Sequence, residues 1–305
     1  MQTSSVLQLE ESLSRRLWNN FRENVRVARR ALWRNKAGLI GFIGLVFFLL
    51  LTFVGPLVVP FDSKVRVDRV YEPPSAEFPL GTNNQGQSIF SHIIHGGREL
   101  LLTAFVAGFL STIIAVSFGS LAAFAGGAVD AIIVAAANFV LTVPQFPLLV
   151  VLAATVKFES PMALAVILAL LNWPALLRSI RAQVLSLRAR DYIEAAVALD
   201  LSTPHILFRE LLPNMMSFIT ISFIFATTGA IYAQVGLVFL GLVPFAKQNW
   251  GVMISLAWTG GAIFYPNASS WILSPVLAIS LFQLSMVMFA RSLEEFFNPR
   301  LRTGL

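Results

Sequence analysis

The chain has 305 residues, a mean hydropathy of +0.74 and only 12% charged residues. A soluble domain usually carries about twice that charged fraction, so the composition excludes an ordinary soluble protein and indicates an integral membrane protein. The absence of cysteine excludes disulfides, thiolate metal sites and a cysteine nucleophile. The net charge of +6 does not indicate a nucleic-acid partner, because the basic residues follow the pattern of a membrane protein.

Six apolar segments are long enough, or nearly so, to cross a bilayer core as helices, which takes about 20 residues. They predict an all-α integral membrane protein with six transmembrane helices. The polar, basic start of the chain does not resemble a cleavable signal peptide, so we expect the first apolar segment to stay in the membrane. The predicted spans are Gly38–Val59, Leu100–Ala125, Ala131–Val156, Met162–Leu177, Met215–Leu242 and Ile272–Phe289.

Lysine and arginine are distributed asymmetrically between the two sides of these spans. Eight precede the first span, five lie between the fourth and fifth, and three follow the sixth, whereas the other side has six. Because basic loops stay on the cytoplasmic side, both termini and the connection between spans four and five are predicted to be cytoplasmic. The basic side would also attract anionic lipid headgroups.

The spans divide the chain into four parts. Residues 1–36 are predicted to be a cytoplasmic basic segment, and residues 37–99 the first span with an outer loop. Residues 100–292 are predicted to be the core transmembrane domain, which includes cytoplasmic helices within 188–213. Residues 293–305 are predicted to be a cytoplasmic tail.

The polar stretch Asp191–Asn214 interrupts this apolar chain and predicts two short helices. In the first, Arg188–Leu199, a helical period places four residues on one face, and the helix should end near Asp200. Thr203 is predicted to cap a second helix, Pro204–Leu211, with Pro204 in its first position. A solvated loop is the plain alternative, but two helices with small residues on one face favour a docking element. The four residues are Tyr192, Ala195, Ala196 and Leu199.

The same stretch resembles the EAA loop of ABC importer permeases. Glu194-Ala195-Ala196 is followed after three residues by Asp200, where that family has glycine, and then by Leu212-Pro213. Asp tolerates the left-handed conformation better than most residues other than glycine. Other stretches are similar to permeases of the dipeptide/oligopeptide/nickel type, and the basic lead to their C-type subunit. They are NWPALLRSIRAQVLSLRARDYIEAA, PLGTNNQGQSIFSHIIHGGREL, NPRLR and the lead RRALWRNKAGLIG.

The resemblance implies a type I importer permease with the MetI-like fold. It also implies a second homologous permease, two cytoplasmic ATPase subunits that bind ATP and Mg, and an extracytoplasmic binding protein. This chain lacks the G-x-x-x-x-G-K-[ST] motif, so no cofactor and no ATP hydrolysis are expected in it. The implied ATPase-coupling residues are Glu194, Ala195, Ala196, Asp200, Leu201, Thr203, Leu212 and Pro213.

Neutral polar residues within the predicted spans are candidates for lining a passage, whereas no acid or base lies deep within them. That pattern disfavours a proton relay or an ion-coupled carrier. Pro144 and Pro147 predict a kink in the third span, either at the passage or in simple packing. The candidate lining residues are Asn138, Thr142, Gln145, Thr227, Thr228 and Gln234, with Asn172 and Tyr232 as further polar groups.

Three titratable residues have plain interpretations. His92 and His95 have the spacing of two metal ligands, but with too few partners for a site, so an interfacial helix is expected and no metal. Asp130 is expected to interact with the dipole at the start of the third span. No catalytic residue is predicted.

Three functions compete. An ABC importer permease for peptides is the preferred one, with nickel chelates, glutathione or oligosaccharides as alternative cargo within the same machinery. A secondary carrier is disfavoured by the lack of buried charge and of inverted repeats. A membrane-embedded enzyme is disfavoured because H-E-x-x-H and G-x-S-x-G motifs are absent.

Overall fold

The computed structural model describes residues 35–155, 160–242 and 249–297. Most of the predicted N-terminal segment 1–36 and of the tail 293–305 therefore lies outside the described residues. Within the described ranges the chain is helical, and its only β pairing is an isolated bridge between Thr82 and Ser88. The helices are α1 Lys36–Leu49, α2 Gly55–Val58, α3 Ile89–Ala125, α4 Gly127–Thr142, α5 Gln145–Thr155, α6 Pro161–Arg188, α7 Asp191–Ala198, α8 Thr203–His205, α9 Leu212–Asn214, α10 Met216–Phe239, α11 Trp250–Thr259 and α12 Ser269–Phe297.

Five helical segments in the described ranges are long and apolar enough to cross a membrane. The pair α4 and α5 makes a sixth if the two are counted as one bent span. The all-helical prediction is thus confirmed. The five segments are Lys36–Val58, Ile89–Ala125, Pro161–Arg188, Met216–Phe239 and Pro266–Leu293; the first joins α1 to α2 through a π-helical turn, Leu50–Val54.

The second span begins at Ile89, so the predicted start at Leu100 is wrong. The hydroxyl of Ser88 caps the helix by accepting from the N–H of Ser91 at 3.4 Å. Its 37 residues extend about 55 Å, against a hydrocarbon core of about 30 Å. The helix is therefore longer than the core, and its first turns are expected to project beyond it. Because these turns contain polar residues, a search for apolar runs does not find them.

The third span is broken rather than kinked. Val143 is extended (φ −87°, ψ 127°), as expected for a residue that precedes a proline. The axes of α4 and α5 differ by 74° across this break. The predicted distortion at Pro144 is confirmed, and it divides the span into two helices.

The fourth span continues as one helix to Arg188, past the predicted end at Leu177. Pro174 lies inside it without ending it. Arg178 and Arg181 therefore belong to this helix, beyond the predicted end of the span. A search for apolar runs ends a span at its first arginine, even when the helix continues beyond it.

The long helix α3 lies at the centre of the bundle, against α6 and α10, while α1 packs on α12. Small residues allow the close approach: a Cβ added at Gly108 would lie 2.9 Å from the backbone N of Thr227. The buried side chains form a main cluster, which includes Trp250 and Phe282. A second group, the insert cluster, consists of Ala115, Ala123, Ala137, Leu177, Ile180, Val184, Ile193, Ala196, Ile206, Leu211 and Met215.

The loop between α2 and α3 is organised around Asp62. Its carboxylate accepts from Arg66 at 2.9 Å and from the backbone N–H of Ser88 at 2.8 Å. Burial disfavours the charged carboxylate, but the hydrogen bonds from Arg66 and from the N–H groups of Ser88 and Lys64 outweigh it and lower the pKa of Asp62. Tyr71, farther along the loop, stacks on Tyr265 with ring centroids 5.4 Å apart.

The connection between α10 and α12 is largely helical in its described part. Residues 243–248 lie outside the described part. The rest forms the short helix α11 and two 3-10 turns, Ala262–Phe264 and Pro266–Ala268. Phe264 is 83% exposed, whereas Trp250 is fully buried and donates its indole N–H to the carbonyl of Ile93 at 2.8 Å.

Candidate functional site

The polar stretch Asp191–Asn214, here called the insert, has one face fixed to the bundle. In α7, Ile193 and Ala196 are buried in the insert cluster, while Glu194 and Ala195 are exposed. The prediction that Ala196 shares the outward face of Ala195 is therefore wrong. The helical period shows which residues share a face of α7, but it does not show which face packs against the bundle. In the structure the face with Ile193 packs against the bundle, and Ala196 lies on that face.

Helix α7 ends as the sequence predicts. Asp200 has φ +55°, in the left-handed region. The N–H of Asp200 donates to the carbonyl of Val197 at 2.9 Å, and that of Leu201 to the carbonyl of Ala196 at 3.2 Å. These two bonds make a Schellman motif, in which glycine is the usual left-handed residue. Asp200 thus makes the left-handed turn that ends the helix, in a position that glycine usually occupies.

The second half of the insert begins one residue earlier than predicted. Ser202, with extended backbone (φ −62°, ψ 145°), is the N-cap, so Thr203 is the first helical residue and Pro204 the second. The prediction of Thr203 as the cap is wrong. Ser202 makes no capping hydrogen bond through its side chain. A π-helical turn, Ile206–Leu211, then leads into α9.

The free side of the insert is an apolar surface, which we call the insert surface. In the same insert Glu194, Thr203 and Pro213 are exposed and Leu212 is half-buried. The side chain of Glu194 makes no hydrogen bond or ion pair with any described residue. Leu199 is 74% exposed and Phe208 68%. The surface consists of Tyr192, Val197, Leu199, Leu201 and Phe208.

Arginines fix the end of α6, just before the insert, to the turn between α3 and α4. Arg181 donates through Nε and Nη2 to the two carboxylate oxygens of Asp130, at 2.6 and 2.5 Å. Arg188 donates to the carbonyls of Ala123 and Phe124 at 3.0 and 3.2 Å, at the end of α3. Asp130 lies in the first turn of α4, where an interaction with the helix dipole was predicted. Its ion pair with Arg181 was not predicted.

Three of the candidate lining residues share an exposed face where α4 and α5 meet α6, which we call the polar face. Asn138 accepts from Nη2 of Arg178 at 2.5 Å, and Gln145 donates to Asn172 at 2.6 Å. The hydroxyl of Thr142 donates to the carbonyl of Asn138 at 3.0 Å. The sequence identified these polar groups but did not identify Arg178 as their partner.

The other candidate lining residues lie inside the bundle. Thr227 and Gln234 have no exposed surface, and Thr228 is half-buried. Thr227 donates to the carbonyl of Phe223 at 2.9 Å, whereas both amide atoms of Gln234 have no hydrogen-bond partner among the described residues. These three residues are therefore not on the polar face. Exposed Tyr232 donates to Gln283 Oε1 at 2.6 Å.

The two histidines stabilise the start of α3. His92 Nδ1 lies 2.9 Å from the carbonyl of Ser88, and His95 Nε2 lies 2.8 Å from the carbonyl of Val59. The ring of Phe61 packs against both imidazoles. No group of three potential metal ligands occurs in the ranges that the structure describes.

Comparison with known proteins places these features in a family. Residues 115–303 match the family described as binding-protein-dependent transport system inner membrane component. Residues 24–74 match the N-terminal TM domain of oligopeptide transport permease C.

Similar proteins cover most of the chain. It is 32% identical over 277 residues to a provisionally named peptide permease protein of Brucella suis, with 90% of each chain covered. It is 28% identical to the oligopeptide transport system permease protein OppC of Bacillus subtilis, covering 88% of this chain and 87% of that one. It is 29% identical to the dipeptide transport system permease protein DppC of the same organism, covering 90% and 85%. The matched family takes in the helices on both sides of the insert, and the chain belongs to the binding-protein-dependent transport system inner membrane components.

Proposed function

We propose that the chain is one of two permease subunits of an ATP-driven ABC importer of peptides. Family membership supports a transport permease, and the names of the relatives support peptides as cargo. The bent pair α4–α5 counts as one span, which gives six spans in a type I, MetI-like arrangement. Both termini and the insert then lie in the cytoplasm, as the distribution of basic residues indicates.

The insert is the coupling element, and its exposed apolar surface is the observation that carries this proposal. Apolar side chains outside the membrane gain about 25 cal/mol for each Å² that a partner covers. Leu199 and Phe208 are more than two-thirds exposed, although Ile193 fixes the same segment firmly to the bundle. An apolar surface that is fixed to the bundle can both bind an ATPase subunit and transmit its movement to the transmembrane helices.

Glu194 supplies specificity beside this apolar contact. Its carboxylate is exposed and unpaired among the described residues, so it is available to a base on the ATPase. Ala195, also exposed, allows the partner to approach closely. Ala196 acts differently, because it packs inward and holds α7 against α6.

The remaining partners follow from the same assignment. A second homologous permease completes the passage, two ATPase subunits bind ATP and Mg, and an extracytoplasmic protein delivers the cargo. This chain itself needs no cofactor.

Purification of the chain from its native membrane in mild detergent, followed by mass spectrometry, tests the proposal. We expect a second permease and P-loop ATPases to co-purify. Glu194→Lys should release the ATPases while the second permease stays bound. Asp68→Lys is the matched control, because Asp68 is an exposed acid in the loop on the opposite side of the spans, and it should release nothing.

A chain that purifies alone, or with no ATPase, overturns the proposal. Equal release of ATPases by Glu194→Lys and Asp68→Lys would show that the coupling surface is elsewhere.

A further inference from the structure

Arg178 belongs to α6, a helix that is long and apolar enough to cross a membrane. It precedes the end of α6 at Arg188 by ten residues, or about 15 Å of helix. Its guanidinium contacts Asn138, which follows the start of α4 at Gly127 by eleven residues, or about 16 Å. Both residues thus lie well inside helices that are long and apolar enough to belong to membrane spans.

The positive charge of Arg178 is not neutralised within the described part of the chain. Arg181, one turn farther along the helix, is paired with Asp130, whereas Arg178 forms no ion pair with a described carboxylate. Its only described hydrogen bond uses one of its five N–H donors. The side chain is exposed, so the remaining donors are free to bind an anion.

Lipid is a poor environment for this side chain. An arginine at the centre of a membrane helix costs at least about 2.5 to 3.5 kcal/mol. Arginines within membrane-spanning helices generally face a bundle interior or a water-filled cavity. The side chain is exposed on this subunit, so the cavity it faces lies outside it.

The surroundings of Arg178 are polar as well. Asn138 and Thr142, one turn apart on α4, and Gln145 beyond the break are all exposed. Another face of the same helix is apolar and suits lipid, with Ile132 69% exposed and Phe139 77% exposed. Helix α4 therefore separates a surface suited to lipid from one suited to water.

We propose that the polar face lines the substrate passage, and that Arg178 is its anion-binding group, which binds carboxylates of the peptide cargo. A guanidinium presents parallel N–H donors that match the two oxygens of a carboxylate. Asn138 holds the guanidinium toward the passage. This inference rests on the proposed function, which it deepens by naming the part of the cargo that is bound.

The first test uses the absence of cysteine from the chain. Single substitutions Asn138→Cys, Gln145→Cys and Phe139→Cys are made in the full complex, in membranes. Each is treated with a charged, membrane-impermeant maleimide from either side, and labelling of this chain is measured by mass. We expect Asn138→Cys and Gln145→Cys to be labelled at least tenfold faster than Phe139→Cys, the lipid-facing control. Equal rates at the three positions overturn the proposal that this face lines the passage.

The second test measures the role of the charge. Complexes are reconstituted with the binding protein in proteoliposomes of neutral lipid, and ATP-dependent uptake of trialanine and of its C-terminal amide is measured. Variant rates are divided by parent rates for each peptide separately, so that any preference of the binding protein cancels. We expect Arg178→Gln to reduce trialanine uptake about tenfold more than uptake of the amide, and Arg178→Lys to restore part of the loss. The paired substitution Arg181→Gln with Asp130→Asn, which leaves the net charge unchanged, should affect both peptides alike.

The outcomes separate the two proposals. If the parent complex transports neither peptide, peptide import itself is wrong. If Arg178→Gln affects the two peptides equally, import stands and the carboxylate site is overturned. An effect of Arg178→Gln that appears only when anionic lipid is added assigns the arginine to lipid headgroups and also overturns it.

Discussion

Arg181 holds both carboxylate oxygens of Asp130, 51 residues away in the sequence, through bonds of 2.6 and 2.5 Å. The pair joins the last third of α6 to the first turn of α4. Partly exposed ion pairs contribute up to about 1 kcal/mol. We expect Arg181→Gln to lower the apparent Tm of the purified complex by about 2 °C.

Exchange of the two charges is the control for this pair. Asp130→Arg combined with Arg181→Asp should recover only part of the Tm, because the arginine would then lie at the positive end of the α4 dipole. A loss of Tm with the double exchange that equals the sum of the two single losses would show that the contact contributes no pairing energy.

Replacement of Asp200 by glycine should stabilise the turn at the end of α7. A left-handed conformation costs most L-residues about 1 to 2 kcal/mol and costs glycine almost nothing. Asp200→Gly should therefore stabilise the end of α7 by up to about 1 kcal/mol, seen as slower hydrogen exchange at the N–H groups of Asp200 and Leu201. Asp200→Val, which places a β-branched residue at φ +55°, should accelerate the same exchange. If both variants exchange like the parent, the turn is not limited by its backbone conformation.

Alanine substitutions at Gly108 and Gly229 should have opposite effects on stability. A Cβ at Gly108 would lie 2.9 Å from the backbone N of Thr227, whereas one at Gly229 meets no atom within 4 Å. Gly108→Ala should destabilise the chain by about 1 to 3 kcal/mol, since the backbone must move. Gly229→Ala should be neutral or stabilise by roughly 0.5 to 1 kcal/mol. Thermal unfolding in detergent measures both, and equal Tm values for the two variants would contradict the packing.

The loop between α2 and α3 should lose stability in acid, because Asp62 organises it. Its pKa is lowered from the ordinary 3.8, so the folded loop binds its proton less readily than the unfolded one. The stabilisation is fully present above the ordinary pKa and is lost as the pH falls through the lower, folded value. Hydrogen exchange in residues 59–88, corrected for the intrinsic pH dependence, should stay slow at pH 5 and accelerate below pH 3.8. In Asp62→Asn, exchange should already be fast at pH 5, and a parent loop that opens at pH 5 would contradict the assignment.

The sequence predicted two local features well, the end of α7 and the break in the third span. Asp200 ends α7 because of a conformational preference that a single residue carries, and Pro144 breaks the third span for the same kind of reason. The start of α3 was missed because its first turns are polar. The direction of Ala196 was missed because both faces of α7 have apolar residues.

The sequence could not predict the contacts that Arg178 and Arg181 make, for another reason. Asp130 and Arg181 come together only when α3, α4 and α6 pack, and Arg178 meets Asn138 by the same route. Nothing in the spacing of these residues along the chain indicates the pairing. Because arginine also marks cytoplasmic loops, the presence of Arg178 indicated that the fourth span ends at Leu177.

The two clusters of buried side chains share no residue. In the described ranges the main cluster has 28 buried members and the insert cluster 11. The smaller cluster has less apolar contact to lose, so local opening there should require less free energy than opening of the main cluster. Of these two clusters, the insert cluster should therefore be the one that opens more often. If the proposed ATPase subunits cover the insert surface, cellular proteases would reach this opening only in subunits that are not yet assembled.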